Sequence, residues 1–201
     1  MPAPDDPHAP GPAGAARLAV VVPVKAFRRS KARLSAALGP TERAELAERL
    51  ATAVVTGAAP WPVVVVCDDD EVARWAGRLG ARIARSDGLD LSASVQYAVG
   101  ALDGAADLAA VVHADLAAPD PLAEVLTGAR SGEVLLVPDR HGDGSNVLVV
   151  PVGSGFRFAY GPGSAERHRA EAARCGLVCR TVAHPTLGWD VDEPADLAGP
   201  A

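Results

Sequence analysis

At 201 residues the chain is long enough for one domain with a buried core, and no apolar run approaches the ~20 residues that a membrane-spanning helix needs. A net charge of −6 with a pI near 5.3 excludes a general nucleic-acid-binding surface, which requires a basic excess. Aromatic residues make up only 4% of the chain, so its core must be built from Val, Leu and Ala.

Residues 1–17 are rich in Pro, Ala and Gly, contain Asp5 and Asp6, and lack the apolar segment of a signal peptide. They are expected to form a disordered tail ahead of a single domain over 18–201. Three cysteines, an odd number in a chain read as having no export signal, point to reduced thiols and a cytoplasmic protein. Cys175 and Cys179, with His168 and His184 nearby, match no standard zinc spacing, and packing is the preferred reading for both thiols.

Leu18 to Val24 is a continuous Val-rich run, too short for a helix, and predicts a buried strand. It leads into the densest positive cluster of the chain, which holds its only two lysines, Lys25 and Lys31, together with Arg33. The composition favours Ala, Gly, Pro, Arg and Val over residues with AT-rich codons. In that setting a retained lysine reads as chemistry, because a compact ammonium suits phosphate oxygens. A solvated basic loop is the plainer alternative. Thr41 to Gly57 has helical periodicity through Leu46, Leu50, Ala53 and Val54, closed by Gly57. Pro62 to Cys67 predicts a second buried strand. Asp68 is then expected to cap a helix through Leu79, with Glu71 completing the capping box. A short strand over Ala81 to Arg85 and a helix over Leu91 to Leu102 follow, joined by Gly88-Leu89-Asp90.

Leu108 to His113 predicts a fourth strand, ending at Asp115, and Asp120-Pro121 predicts a helix start with an N-cap and an N1 proline. Glu133 to Val137 and Val147 to Val150 are Val/Leu strands on either side of a polar loop. Phe156 to Tyr160 alternates weakly, as an edge strand would. Gly161-Pro162-Gly163-Ser164 opens a helix that ends at Arg174, Leu177 to Val182 is the last strand, and Pro194 starts a short helix. Strands alternating with helices predict an α/β fold with a mostly parallel, doubly wound sheet between helices.

In such a sheet, ligands bind outside the carboxyl ends of the strands. The residues there divide by charge: Lys25, Lys31 and Arg33 follow the first strand, Asp87 and Asp90 the third, and Asp115 the fourth. Asp190-Val191-Asp192, if extended, turns two carboxylates to one face. Like charges that close raise each other's pKa unless a cation lies between them. An all-oxygen set suits Mg²⁺, with Asp115 as the natural third ligand. Asp192-Glu193-Pro194 also reads as a helix N-cap, a role that need not exclude the first. Gly161 to Ser164 offers backbone N–H groups, a helix dipole and a hydroxyl to a phosphate or carboxylate, although Ser is a common structural N-cap as well. Gly142 to Asn146 is a second polar turn and holds the only asparagine, while Asp143-Gly144 is equally a hairpin turn pair. No G-x-x-x-x-G-K-[ST] loop and no G-x-G-x-x-G after a strand occurs, which disfavours P-loop NTPases and standard dinucleotide binders. A basic loop, three acidic metal candidates and an anion-binding helix start suit nucleotidyl transfer.

Several short pieces then form an ordered set: Pro23-Val24-Lys25 with Ser30-Lys31-Ala32-Arg33-Leu34, Gly88-Leu89, Ala114-Asp115-Leu116, Pro138-Asp139-Arg140, Gly161-Pro162-Gly163-Ser164 with His168, and Asp190-Val191-Asp192 with Pro194 and Asp196-Leu197. In order and spacing, over about Leu18 to Leu197, they resemble the phosphoenolpyruvate / 2-phospho-L-lactate guanylyltransferases of coenzyme F-420 biosynthesis. The resemblance implies a single-domain nucleotidyltransferase fold of the nucleotide-diphospho-sugar transferase, Rossmann-like type. It implies that Lys25, Lys31 and Arg33 hold the GTP phosphates and support catalysis, and that Gly88, Leu89 and Asp90 lie at the nucleotide. It assigns Mg²⁺ to Asp115, Asp190 and Asp192, and the phosphate and carboxylate of a three-carbon acceptor to Ser145, Gly161 and Ser164. The implied reaction moves GMP from GTP to phosphoenolpyruvate or 2-phospho-L-lactate, releases pyrophosphate and hands the product to the next enzyme. The high-GC composition favours phosphoenolpyruvate as the acceptor.

The chain departs from that family's pattern in three turns. Its Gly-Thr-Gly-Thr-Asn is Gly142-Asp143-Gly144-Ser145-Asn146 here, which keeps a hydroxyl at Ser145 but adds the charge of Asp143 near an anionic substrate. Asp-Leu-Pro becomes Asp115-Leu116-Ala117, and Gly-Leu-Asn becomes Gly88-Leu89-Asp90. The Asp90 carboxylate suits the N1–H and 2-amino hydrogens of guanine, or the cap of the following helix. Alternatives are another Mg²⁺-dependent nucleotidyltransferase, of the molybdopterin guanylyltransferase or sugar-phosphate type, and a nucleotide-binding module that no longer catalyses.

Overall fold

The computed structural model describes residues 16–199. Seven strands, β1 (Leu18–Pro23), β2 (Val63–Cys67), β3 (Arg82–Arg85), β4 (Leu108–Val112), β5 (Glu133–Pro138), β6 (Ser145–Pro151) and β7 (Val178–Thr181), form one sheet in the order β3-β2-β1-β4-β6-β5-β7. The pairs β1–β2, β1–β4, β2–β3 and β5–β7 are parallel, and β6 alone runs against its neighbours β4 and β5. Helices α1 (Pro40–Gly57), α2 (Asp70–Arg78), α3 (Leu91–Gly100), α4 (Leu122–Thr127) and α5 (Ser164–Arg174) cover its two faces. The expected α/β fold with a mostly parallel sheet is present.

Strand periodicity divides the core. Val20 and Val22 of β1 join Ala51 and Val54 of α1, Trp75 of α2, and Leu122 and Leu126 of α4. Ala19 and Val21 point the other way, toward Val95 and Ala98 of α3 and Ala165 and Ala172 of α5. Successive side chains alternate across the sheet, so a strand covered on both faces must be apolar throughout, as Leu18 to Val22 is. Each fully buried Val or Leu there stabilises the fold by ~1.5–3 kcal/mol.

Three local expectations are corrected. The cap of α2 is Asp69 rather than Asp68: Asp69 Oδ1 accepts from the N–H groups of Glu71 and Val72 at 2.9 and 3.1 Å. The carbonyl of Asp68 is spent instead on the Arg85 guanidinium. Helix α4 starts one residue late, with Pro121 at the N-cap and no side-chain cap, because a turn in which Leu122 N–H donates to Pro119 O precedes it. Residues 156–160 form no strand. Their backbone N–H groups are taken by side chains, Arg157 by Glu171, Phe158 by Gln96, Ala159 by His168 and Tyr160 by Ser92, so no sheet edge is needed to satisfy them. Finally, most of the expected tail lies outside the described residues. Arg17, placed within that tail, is anchored by its backbone N–H and guanidinium to Asp107.

Candidate active site

The carboxyl edge of the sheet gathers the charged residues. After β1 the chain passes exposed Lys25 and makes two 3-10 turns, Phe27–Arg29 and Ala32–Ala36. Lys31 stands between them in the left-handed conformation, with φ of 57°. Holding a lysine there has a strain cost, so the surroundings must over-determine it. They do: Lys31 Nζ lies 2.7 Å from Asp115 Oδ2 and 3.2 Å from Asp192 Oδ1, with its side chain only 7% exposed. Arg33 reaches the other oxygen of Asp192 at 3.4 Å.

Asp190 and Asp192 are brought to Asp115 by backbone pairing. Leu116 and Asp190 form an antiparallel bridge, Val191 N–H donates to Asp115 O at 3.0 Å, and Ala117 N–H donates to Trp189 O at 2.8 Å. Val191 is buried between the two acids, as the alternation of an extended segment requires. Asn146 Nδ2 holds Asp190 Oδ1 at 3.4 Å and donates to Leu187 O at 3.1 Å. Asp192 is not the cap of the following 3-10 turn (Pro194–Ala198), whose N-cap is Glu193. Buried Asp196 serves that turn instead: its Oδ2 accepts from the N–H groups of Asp192 and Glu193, and its Oδ1 pairs with Arg140 at 2.6 Å. The Arg140 guanidinium also lies over the Trp189 ring, 4.7 Å from its centroid, and reaches Asp190 O at 3.4 Å.

Electrostatics at this edge are unbalanced toward the acids. Burial opposes the charge of Lys31, but the Asp115 and Asp192 carboxylates outweigh it and raise the ammonium pKa above its ordinary value. Burial likewise opposes the charge of Asp115, and Lys31 and His113 hold its carboxyl below the usual range. Asp190 moves the other way, pushed up by burial and by the charges of Asp115 and Asp192. Asp115 Oδ1 is shielded from solvent and has no hydrogen-bond partner, although the side chain as a whole keeps 26% exposure. Among the described residues, no three His, Cys, Asp or Glu side chains form a preassembled metal cage. An orphaned carboxylate oxygen beside a second carboxylate whose pKa is raised by burial and by like charge does fit a hard cation of the Mg²⁺ type. Such an ion is held by one or two carboxylates together with substrate phosphates.

The second group of expected site residues assembles around α5. Ser145 opens β6, Ser164 opens α5, and their hydroxyl oxygens lie 3.2 Å apart. Ser145 Oγ is 2.9 Å from His168 Nδ1. Gly161 and Gly163 take positive φ, 112° and 72°, a turn that a side chain would strain. The backbone N–H groups of this helix start are not open, which corrects the expected anion cradle. Gly163 N–H donates to Asp143 Oδ2 at 2.9 Å, Ser164 N–H to Gly161 O at 3.0 Å, and Ala165 N–H to Asp143 O at 2.9 Å. Asp143 therefore ties the hairpin tip to the helix start. Its companion Asp139 accepts from the N–H groups of His141, Asp143 and Gly144 and shapes the hairpin tip itself.

At the third cluster, Gly88 has φ of 77°, Leu89 is 47% exposed, and Asp90 Oδ1 caps α3 by accepting from Ala93 N–H at 2.8 Å. One oxygen of Asp90 thus has the structural role weighed in the sequence. Arg85 is paired with Asp70 and Asp87 on the edge strand β3, apart from the acids at β4. Both ring nitrogens of His168 are engaged, which leaves none for the disfavoured zinc arrangement.

A family model described as "Guanylyl transferase CofC like" matches residues 18–199. The chain belongs to this guanylyl transferase family. The CofC-like chain is 35% identical over 185 residues to a protein named phosphoenolpyruvate guanylyltransferase from Rubrobacter xylanophilus, covering 89% of this chain and 90% of that one. A protein of the same name from Salinispora arenicola is 36% identical over 188 residues, covering 89% and 85%. Among solved structures, a candidate nucleotide-diphospho-sugar transferase from Desulfovibrio desulfuricans G20 matches with a TM-score of 0.73 at 19% identity, over 91% of this chain and 85% of that one. A 4-diphosphocytidyl-2C-methyl-D-erythritol synthase matches at 0.58 and 15%, over 92% and 96%. The CofC-like chain thus has the fold of nucleotidyltransferases of the nucleotide-diphospho-sugar transferase type.

In this CofC-like chain, sequence reading left Asn146, Arg140, Asp196 and His168 without roles. Asn146 carried a signal as the only asparagine, and Arg140, Asp196 and His168 sat within the matching motifs. Their contacts span 9 to 56 residues of chain, so no local pattern names the partners.

Proposed function

We propose that this protein transfers GMP from GTP to a small phosphorylated carboxylate, with phosphoenolpyruvate as the first choice, and releases pyrophosphate. In this reaction a phosphate oxygen of the acceptor attacks the α-phosphorus of GTP. The bond to the β-phosphate oxygen breaks, and pyrophosphate leaves from a guanylylated, diphosphate-linked product. The observation that carries the reading is the convergence of Asp115 and Asp192 on Lys31, with Asp190 bridged to Leu116 beside them, at the carboxyl edge of a nucleotidyltransferase sheet. Family membership and the names of the relatives support the guanylyl donor and the acceptor. A role in coenzyme F-420 biosynthesis accords with the same resemblance.

Asp115, Asp190 and Asp192 would hold Mg²⁺, which supplies charge neutralisation to the phosphate oxygens. Lys25 is exposed beside this edge and would meet the GTP phosphates directly. Lys31 and Arg33 would stabilise negative charge that develops on the transferred phosphoryl group, acting from positions already set by the acids. Gly88, Leu89 and Asp90 would lie along the nucleoside. Ser145, Ser164 and the Gly161 turn would hold the acceptor, with the hydrogen-bonded hydroxyl pair as the donor, since the neighbouring helix N–H groups are already used.

The test is pyrophosphate release from GTP and Mg²⁺ with phosphoenolpyruvate, 2-phospho-L-lactate and 3-phospho-D-glycerate in turn, coupled to the next enzyme so that an unstable product is trapped. Release with phosphoenolpyruvate alone is the expected result. A folded protein that binds GTP yet releases nothing with any acceptor would instead be a binding module.

A further inference from the structure

His168 is wholly buried and lies between two groups whose hydrogen-bonding roles differ. On one side, Ala159 N–H points at Nε2 from 3.0 Å. A backbone N–H can only donate, so Nε2 must accept and carries no proton. Burial, reinforced by the charges of Arg167 and His113, lowers the His168 pKa to about 4, so the ring is neutral at neutral pH. Its single proton therefore sits on Nδ1, and Nδ1–H donates to Ser145 Oγ across 2.9 Å. Phe156, Phe158 and Tyr160 pack around the ring, with centroids 5.8, 6.4 and 5.0 Å away, and hold this orientation.

The direction of that bond determines what the serine pair can do. Ser145 and Ser164 have two hydroxyl hydrogens between them, and one is spent on the bond that joins them at 3.2 Å. If His168 accepted from Ser145, the second hydrogen would be spent as well, and the pair would present only lone pairs to a ligand. Because His168 donates, one hydroxyl hydrogen is left over. Both serines are buried, at 1% and 2% exposure, and among the described residues neither hydroxyl makes a further hydrogen bond that would take that hydrogen. A buried donor without a partner is unfavourable.

We infer that His168 is a positioning residue that, through its Nδ1–H bond to Ser145, turns the Ser145–Ser164 hydroxyl pair into a hydrogen-bond donor for an anionic oxygen of the acceptor. The inference rests on the acceptor site proposed above. It explains how the pair serves an anion although the backbone N–H groups of α5 are engaged. It also assigns Asp143 a benign place, since its charge is bound to Gly163 N–H rather than presented to the ligand.

The first test needs no substitution: the ¹⁵N shifts of the imidazole in the whole protein distinguish the two neutral tautomers. Protonated Nδ1 is expected, and a protonated Nε2 would overturn the inference. The second test compares His168→Asn, whose amide can donate from the Nδ1 position, with His168→Gln, whose amide lies at the Nε2 end. His168→Asn should keep the acceptor KM within about twofold of the parent. His168→Gln should raise it about tenfold, with the GTP KM and kcat at saturating acceptor little changed. In a Ser145→Ala background, His168→Gln should add nothing. If His168→Gln fails to fold, the tautomer and the His168→Asn comparison still decide. A raised acceptor KM in Ser145→Ala with no effect of His168→Gln would overturn the role of His168 alone. An unchanged acceptor KM in Ser145→Ala would remove the acceptor site itself.

Discussion

Lys31 and Asp115, 84 residues apart in sequence, meet at 2.7 Å, and this pair joins the first strand-end loop to the acids of the fourth. Removing the ammonium leaves a partly buried carboxylate uncompensated. Lys31→Met is therefore expected to lose on the order of 1–3 kcal/mol of stability, read as a lower urea midpoint at unchanged m-value. Because the lost charge is a cation between carboxylates, Mg²⁺ should raise the Tm of Lys31→Met more than that of the parent. Equal shifts would show that the acids do not form the ion's site.

Lys25 and Arg85 are both exposed or half-exposed basic residues, yet only Lys25 follows β1 at the acidic edge. Lys25→Ala is expected to lower turnover by about tenfold or more, whereas Arg85→Ala stays within about twofold. Steady-state rates at saturating GTP and acceptor are the measurement. Similar losses in the two variants would end the phosphate role of Lys25.

Asp90 has one oxygen on Ala93 N–H, so Asp90→Ala should cost about 1 kcal/mol through the lost cap of α3. If the same carboxylate also reads guanine, the ratio of kcat/KM for GTP over ATP should fall about tenfold. Asp90→Asn separates the two roles, because an asparagine still caps. Loss of stability with an unchanged ratio would leave Asp90 a cap only.

Arg140 reaches the backbone carbonyl of Asp190 but none of the three acidic side chains, and it pairs with buried Asp196, which in turn accepts the N–H groups of Asp192 and Glu193. Burial opposes the charge of Asp196, but those two N–H bonds and Arg140 outweigh it and keep the carboxyl pKa low. Arg140→Ala is expected to cost about 2 kcal/mol and to lower kcat through the displaced 190–192 segment. Arg140→Lys should recover little, since it loses both the planar stack on Trp189 and the fork geometry. Thermal unfolding read beside kcat checks both. Full recovery by lysine would reduce Arg140 to a point charge.

The pKa of His168 is depressed to about 4 in the fold, against about 6.5 in an unfolded chain. Between those values the unfolded state binds more protons. Stability contributed by the neutral ring is thus fully present above about pH 6.5 and is lost as pH falls toward 4, with a slope of at most ~1.4 kcal/mol per pH unit. His168→Asn should flatten that slope. Urea midpoints of both proteins at pH 7, 6 and 5 make the comparison, and parallel curves would show that this ring does not titrate as described.

The unbroken run from Leu18 to Val22 could only become a strand covered on both faces, because each of its side chains needs an apolar neighbour. Asp190-Val191-Asp192 likewise stated its own geometry, since two acids flanking one apolar residue suit an extended segment with Val191 inward. Propensity and period are local properties, and from them the sequence by itself determined the strands, most helices and which carboxylates share a face. Choice of partner is different. Whether Phe156 to Tyr160 joined a sheet depended on Glu171, Gln96, His168 and Ser92 arriving to take its N–H groups. Whether Asp143 faced a ligand depended on Gly163, and whether Ser145 gives or receives a hydrogen depended on a backbone N–H at Ala159 acting through His168. A buried polar group has only the partners that packing delivers to it. These pairings, and with them the chemistry of the site, were decided by the tertiary structure.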